Sequence, residues 1–504
     1  MGTTEHHGAA DVIAEPLLPS PAVEMEPSSA PPPLPRRNMF AFICATLASM
    51  TTILMGYNLT LMSGAELFMR EDVGLTDAEV EVLAGSMNVF MLASTLAAGW
   101  VADHLGRRRT LVLANAFLMA GALAMSLGTS FAALMAARFV TSLGSGLARV
   151  VAPVYNAEIS PASTRGALSS MLDVFVNVGI LLSYVSNYAF SGLPVHLGWR
   201  AMYAVGVVPP VFIAAGVLLV MPESPRWLAM RGRQSDARAV LLRTLDTPAE
   251  ADLWLGEIKR AVADAEPPPP PAGRGAGASV SIWKQLLVRP STNVRRILTC
   301  VLGLHFFVQA SGVDAILLYS PLIFRAVGMA SDSAILGATV AMGAVKSCFI
   351  LVGMLFTDRL GRRPLLLAST AGVAVTATAL AVTLYVGTST TTSTSPATTA
   401  ACLASVLAVV ATYSVGYGSV VSAYSAEVLP LRLRAQGSSL AMAVNKLMAG
   451  VVSMTFISLA DAITMPGCFF LYAAVTAAAF VFVYTRLPET KGRSLEDMEV
   501  LFHK

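Results

Sequence analysis

Carboxylates and guanidinium groups recur in this chain as matched sets. Asp103-His104-Leu105-Gly106-Arg107-Arg108 is echoed by Asp358-Arg359-Leu360-Gly361-Arg362-Arg363. Glu158 with Pro161 and Arg165 is echoed by Glu427 with Pro430 and Arg434. Each series then closes on Pro-Glu, with Glu223 and Arg226 in the first and Glu489 in the second. The copies stand 255, 269 and 266 residues apart, so three marks return in one order at nearly one spacing. Acids and arginines in such sets form charge-assisted pairs that can be made and broken. Gly106 and Gly361 suit the sets to tight turns where backbones come close. Simple anchoring at a membrane face would explain the arginines, but neither the paired acids nor the ordered repeat, which marks a duplicated chain.

A second group of polar residues stands alone inside apolar runs. Arg138 is followed eleven residues later by Arg149, three helical turns on and on nearly the same face. Asp173 and Asn177 are one turn apart; Gln309, Asp314, Lys346, Asn445 and Lys446 lie in later runs, and Asn58 in the first. A charge at mid-bilayer costs roughly 2.5 kcal/mol or more unless it is paired or faces a cavity, so each of these is a candidate site residue. Asp314 and Lys346 have two readings at this stage, a solute contact or a helix-to-helix ion pair. The five cysteines lie in or beside apolar runs without metal-ligand spacing and read as small buried hydrophobes, with no disulfide expected. No metal-ligand cluster, nucleophile elbow or phosphate loop is present, so neither an enzyme nor a cofactor is expected.

The elements that must position these groups follow from composition. Of 504 residues, 55% are hydrophobic and 13% charged, about half the charged fraction of roughly 25% in soluble proteins. The net charge of +3 is too small to imply a nucleic-acid partner. A spanning helix needs about 20 mostly apolar residues. Such runs fall near 39–62, 82–102, 109–128, 131–154, 167–190 and 199–221, then near 296–319, 334–357, 364–387, 401–426, 436–460 and 467–487. The expected fold class is therefore an all-α membrane protein with twelve transmembrane helices in two pseudo-symmetric six-helix bundles.

The expected organisation is a disordered tail at 1–37, a first bundle at 38–221, a helical linker at 222–293, a second bundle at 294–487 and a tail at 488–504. The first tail is rich in Pro, Ala, Glu and Ser and lacks the apolar core of a signal peptide. In the linker, Thr247-Pro248-Ala249-Glu250 is a helix start, and Pro267 to Pro271 end that helix. The loops after even-numbered spans carry the arginines; the opposite loops are neutral or acidic, around Glu71-Asp72 and Asp77 to Glu81. The positive-inside rule then places the repeated motifs and both termini in the cytoplasm.

The paired motifs, with Pro222-Glu223-Ser224-Pro225-Arg226 and Pro488-Glu489-Thr490-Lys491-Gly492, resemble the sugar-porter family of the major facilitator superfamily. Ala152-Pro153-Val154-Tyr155, Ser183-Tyr184-Val185-Ser186-Asn187-Tyr188 and Gln309-Ala310-Ser311-Gly312-Val313-Asp314 resemble its plant polyol/monosaccharide branch. The similarity runs from about Phe40 to Glu499. It implies transmembrane transport of a polyol or monosaccharide by alternating access. Asp173, Asn177, Gln309, Asp314, Lys346, Ser422 and Asn445 are the implied solute contacts, and the motif charges form a cytoplasmic gate network between rocking halves. The implied partners are a hydroxylated solute, a proton in coupled members, and the bilayer. A monomer in the plasma membrane, in preference to the vacuolar membrane, is expected.

Four departures from the family pattern bear on coupling and specificity. Proton-coupled members carry an Asp in span 1 opposite the arginine that matches Arg138; this chain has Asn58, and an amide does not titrate. That implies uniport, or coupling displaced to Asp173, Asp314 or Glu66. The family's Gln pair in span 7 is Val308-Gln309, and Ser422 stands where span 10 carries an aromatic. Arg149 adds a cation that Asp173 could neutralise. The alternative to a carrier is a sugar sensor that binds without transport.

Overall fold

Apolar runs with no water to satisfy their backbone groups must close every N–H and C=O internally, and helices do so within a single segment. The computed structural model describes residues 39–160, 165–245, 247–265, 292–389, 396–429 and 434–491. It shows twelve helices long and apolar enough to cross a membrane: Met39–Thr60, Asp77–Leu105, Arg107–Leu127, Phe131–Ile159, Met171–Phe190, Val195–Leu219, Thr292–Ala326, Asp332–Thr357, Arg362–Gly387, Pro396–Ser425, Gln436–Ile463 and Met465–Arg486. They are spans 1 to 12 below.

The packing repeats as the motifs do. Span 1 lies on span 5, span 2 on span 4, and span 3 on spans 4 and 6; in the same way span 7 lies on 11, span 8 on 10, and span 9 on 10 and 12. The two sets meet through span 2 on span 11 and span 5 on span 8, pairs that the repeat exchanges. In lipid no hydrophobic force draws helices together, so close contact of small residues does much of the work. A side chain at Gly56 would run into the Val176 carbonyl of span 5, and one at Gly179 into the Ile53 carbonyl of span 1.

Several spans are not continuous rods. Span 7 breaks between Thr292–Ala310 and Val313–Ala326, where Gly312 takes φ 78°, and bends again at Tyr319 before Pro321. Span 10 breaks at Gly416, between Pro396–Val415 and Tyr417–Val428. Irregular backbone at membrane depth is tolerated only where protein or a cavity surrounds it, so these breaks mark the interior between the halves.

Two expectations are corrected. Glu71 and Asp72 are not in a loop: beyond Leu61 the chain runs on as the helix Met62–Val73. Asp77 to Glu81 open span 2, started by a Thr76–Glu79 capping box, and Glu81 is buried. Charged residues hid both helix ends because run length registers only apolar stretches. Cys348 is exposed, whereas the other four cysteines are buried. Among the described residues, three short helices follow span 6: Pro225–Met230, Gln234–Thr244 and Pro248–Ala265. The proline run expected to end the third lies outside the described residues.

Candidate functional site

The repeated motifs build the same device twice at one end of the bundle. At the start of span 3, the backbone N–H groups of Arg107 and Arg108 donate to Glu223 Oε1 at 2.8 and 3.1 Å. At the start of span 9, those of Arg362 and Arg363 donate to Glu489, both at 3.0 Å. A helix N-terminus offers unpaired N–H groups and a positive dipole end, which a carboxylate satisfies. Gly106 and Gly361 precede these helices with φ 95° and 97°, and a Cβ at either would press on that carboxylate.

Arg107 reaches Glu158 at 3.0 Å and Asp103 at 2.8 Å, and Arg362 reaches Glu427 at 2.8 Å. The hydroxyls of Ser224 and Thr490 donate to Glu158 and Glu427 at 2.5 and 2.7 Å. Arg108 closes on the Leu218 carbonyl at the end of span 6, and Arg363 on that of Tyr484 in span 12. These bonds all lie within one half or the other. The expectation that they tie the halves together is therefore corrected: in this conformation they brace each half separately. Arg226 is exposed, and the side chains of Asp358, Arg165 and Arg434 lie outside the described residues.

The isolated polar residues of the spans fall into several groups. Arg149 of span 4 faces Asp173 of span 5 at 4.0 Å, and the Asn177 amide donates to the Asp173 carbonyl. Gln309, two residues before the break in span 7, donates from Nε2 to Asn445 Oδ1 of span 11 at 3.1 Å. Next to it in sequence, Lys446 donates to Asn88 Oδ1 of span 2 at 3.3 Å, joining the halves. Lys346 of span 8 sits over the Tyr413 ring of span 10, 5.7 Å from its centre, and Tyr413 packs edge-on against Tyr417. Asp314 and Lys346 make no ion pair; Asp314 instead lines a recess of about 20 Å³ with Thr60, Asn88, Leu317 and Ser453, room for one water. Ser422 is exposed on the helix Tyr417–Val428 and makes no hydrogen bond among the described residues.

Several buried polar atoms among these spans lack a hydrogen-bond partner. Gln309 Oε1, Asn177 Oδ1, His305 Nδ1 and the Tyr417 hydroxyl have none among the described residues. Each unpaired buried polar atom costs about 1–3 kcal/mol. His305, one turn before Gln309 and bonded to Ser425 at 3.1 Å, went unnoticed in the sequence, as did Asn88. A lone polar residue in an apolar run, the signal that found Gln309, would have found both.

Arg138 is 1% exposed. Its Nη1 donates to the backbone carbonyl of Asn58 at 3.1 Å and its Nε to that of Leu83 at 3.3 Å. The Asn58 side chain turns away and donates to the Leu54 carbonyl at 2.9 Å.

At the end opposite the motifs the halves are clamped together. Glu81 of span 2, 2% exposed, accepts from the backbone N–H groups of Ile457 and Ser458 in span 11 at 2.7 and 3.2 Å, and from the Ser458 hydroxyl at 2.5 Å. Within the second half, the Ser453 carbonyl, one turn earlier, accepts from Tyr319 of span 7 at 2.6 Å. Tyr184 of span 5 donates to the Leu317 carbonyl of span 7 at 2.8 Å. The bundle is closed at that end.

Twelve spans in two equivalent sets, with unpaired polar atoms at broken helices between them, define a two-lobed membrane carrier. The chain belongs to the sugar (and other) transporter family, whose model matches residues 44–502. It is 47% identical over 487 residues to Polyol transporter 5 of Arabidopsis thaliana, covering 96% of this chain and 90% of that one. To Putative polyol transporter 1 of the same plant it is 48% identical over 474 residues, 94% and 93% of the two chains. The fold matches the proton:xylose symporter XylE of E. coli, a major facilitator superfamily protein solved with 6-bromo-6-deoxy-D-glucose, at TM-score 0.73 and 25% identity, covering 93% of this chain and 100% of that one. The protein is a multi-pass integral membrane transporter, and the sensor alternative finds no support.

Proposed function

We propose that this chain carries a polyol or monosaccharide across a membrane with a proton, the two halves rocking about the polar groups at their interface. The observation that carries this reading is the set of unpaired acceptors and donors: Gln309 Oε1, His305 Nδ1 and the Tyr417 hydroxyl on the broken spans 7 and 10, and Asn177 Oδ1 on span 5. A solute rich in hydroxyl groups supplies both donors and acceptors, and so matches such a set. Asp173, Asn177, Gln309, Asp314, Lys346 and Asn445 are the proposed solute-facing residues, with Ser422 leaving space in span 10.

Arginine placement supports a cytoplasmic motif end, with both termini on that side. The charge sets around Arg107 and Arg362 act as braces of each half. A monomer in the plasma membrane fits the reading. The relatives are named polyol transporters and the structural neighbour a proton symporter, which supports polyol and proton as cargo. Asn58 favours a second reading, uniport, because its amide neither titrates nor meets Arg138 through its side chain.

Uptake of labelled polyols and hexoses by transport-deficient cells producing the chain, at two external pH values, tests both readings. Saturable uptake of a polyol that rises as the medium is acidified is expected. Uptake indifferent to pH selects uniport, and no uptake of any polyol or hexose refutes the carrier.

A further inference from the structure

Glu66 lies on the helix Met62–Val73, two turns beyond Asn58. It is 3% exposed, and neither carboxylate oxygen has a hydrogen-bond partner among the described residues. Other acids at this end are engaged: Asp72 accepts from Trp199 and Arg200, Asp77 pairs with Arg70 at 2.5 Å, and Glu81 is clamped on span 11. An ionised carboxylate buried without a partner carries a large desolvation cost, so the packing seen here suits the neutral acid.

Arg138 presents the complementary vacancy. Its guanidinium is spent on backbone carbonyls and the Met87 sulfur, and Nη2 has no partner among the described residues. Tyr203 of span 6 stands at Met62, one turn after the Asn58 whose carbonyl Arg138 holds and one turn before Glu66, and Tyr319 of span 7 packs in the same core. Both hydroxyls are already committed, to the Met62 sulfur and the Ser453 carbonyl.

Several other titratable groups on elements packed against this helix are engaged as well. Tyr57 of span 1 donates to Ser186 and to the Met202 carbonyl, Tyr184 of span 5 to the Leu317 carbonyl, and Arg70 on the same helix holds Asp77. Asp314 of span 7 has no hydrogen bond or ion pair among the described residues and lines the small recess with Thr60 and Asn88. The acid without a partner and the cation with an unused N–H thus bracket Met62, the acid one turn after it and the cation on the carbonyl one turn before it.

We propose that Glu66 is the proton-carrying group of the transport cycle, taking over a task that Asn58 cannot perform. With the Glu81 end open, the carboxylate is ionised and held by Arg138. A proton taken from water on that side neutralises it, frees Arg138, and lets the acid be buried as the end closes. Loss of that proton to the opposite side restores the charge, which this packing cannot hold, and the closed end reopens. The bonds made and broken are the O–H bond of Glu66, the O–H bond of the hydronium that delivers the proton on one side and of the water that accepts it on the other, and hydrogen bonds to Arg138.

The inference rests on the proton-coupled reading above, and two assays on the full chain in proteoliposomes keep them apart. Counterflow exchange of labelled polyol needs no net proton movement, whereas accumulation under an inward proton gradient does. For Glu66→Gln, accumulation is expected to collapse to a ratio of about one, while exchange falls by less than about threefold. A Gln variant that still concentrates polyol overturns the proposal. If the Gln variant exchanges nothing, Glu66→Asp decides: accumulation with a displaced pH profile supports the proposal, and the parent's profile overturns it. A parent that exchanges but never accumulates overturns the Glu66 assignment alone. A parent that exchanges no polyol or monosaccharide refutes the carrier reading itself.

Discussion

Replacing Glu81 by Gln should unlatch the end of the bundle that is closed here. The carboxylate accepts three hydrogen bonds from Ile457 and Ser458 across the interface between halves. Bonds to a charged group contribute about 1.5–3 kcal/mol each and neutral ones about 0.5–1.5, so the neutral amide forfeits about 1 kcal/mol per bond. Water reaching the groups when the end opens recovers part of this, leaving about 2 kcal/mol, or about 30-fold in the open-to-closed ratio. Met454 reports on that ratio, because its side chain fills the interface beside Gly85. In a Met454→Cys background, labelling by a membrane-impermeant maleimide from that side should accelerate by about 30-fold on Glu81→Gln, provided the open form is rare in the parent. A rate that is unchanged or slower would refute the assignment of Glu81 as the latch.

Other substitutions test the remaining parts. Gly106→Ala and Gly361→Ala each force a side chain into a backbone region that favours glycine, with φ 95° and 97°. Each should lower stability by about 1–3 kcal/mol, read as a lower Tm in detergent. Gln309→Ala and Asn445→Ala each remove half of an amide pair and leave the other half unpaired. Each should raise the apparent KM for polyol by about 5- to 150-fold, the equivalent of 1–3 kcal/mol, with expression unchanged. Asp72 has its carboxyl held below the usual range, first by the Arg200 guanidinium and then by the Trp199 N–H. Its stabilisation is present above the unfolded value of about 3.9 and is lost as pH falls through the depressed folded value. Asp72→Asn should therefore lower Tm at pH 7, and the gap to the parent should close as the pH falls below about 4.

The twelve spans were legible because membrane helices are long apolar runs, and run length survives the loss of every tertiary detail. The duplication was legible because the charged turns recur, and Gly106 and Gly361 share one backbone conformation. The Arg149–Asp173 pair was legible too, since two isolated opposite charges on neighbouring spans have few other partners. The helix after Leu61 and the start of span 2 were not, because Glu66, Arg70, Glu71, Asp72 and Glu81 break the apolar run while the backbone stays helical. Nor could spacing show whether the motif charges bridge the halves or brace them. That depends on which state of the bundle is adopted, and here the clamp is at the opposite end. Asp314 and Lys346 were candidates for one another, yet Lys346 lies over the Tyr413 ring and Asp314 lines a recess with Thr60 and Asn88.

The central claim is that solute crosses only because the Glu81 end opens and closes. Its most direct test is a chain carrying Glu81→Cys and Ser458→Cys, whose parent side chains touch across the halves. The two thiols are bridged by a short bifunctional thiol reagent in proteoliposomes loaded for polyol exchange. The account predicts that exchange stops on bridging, returns when the bridge is cleaved, and is unaffected by the same treatment of the parent. Exchange that continues through a fully bridged protein would contradict it.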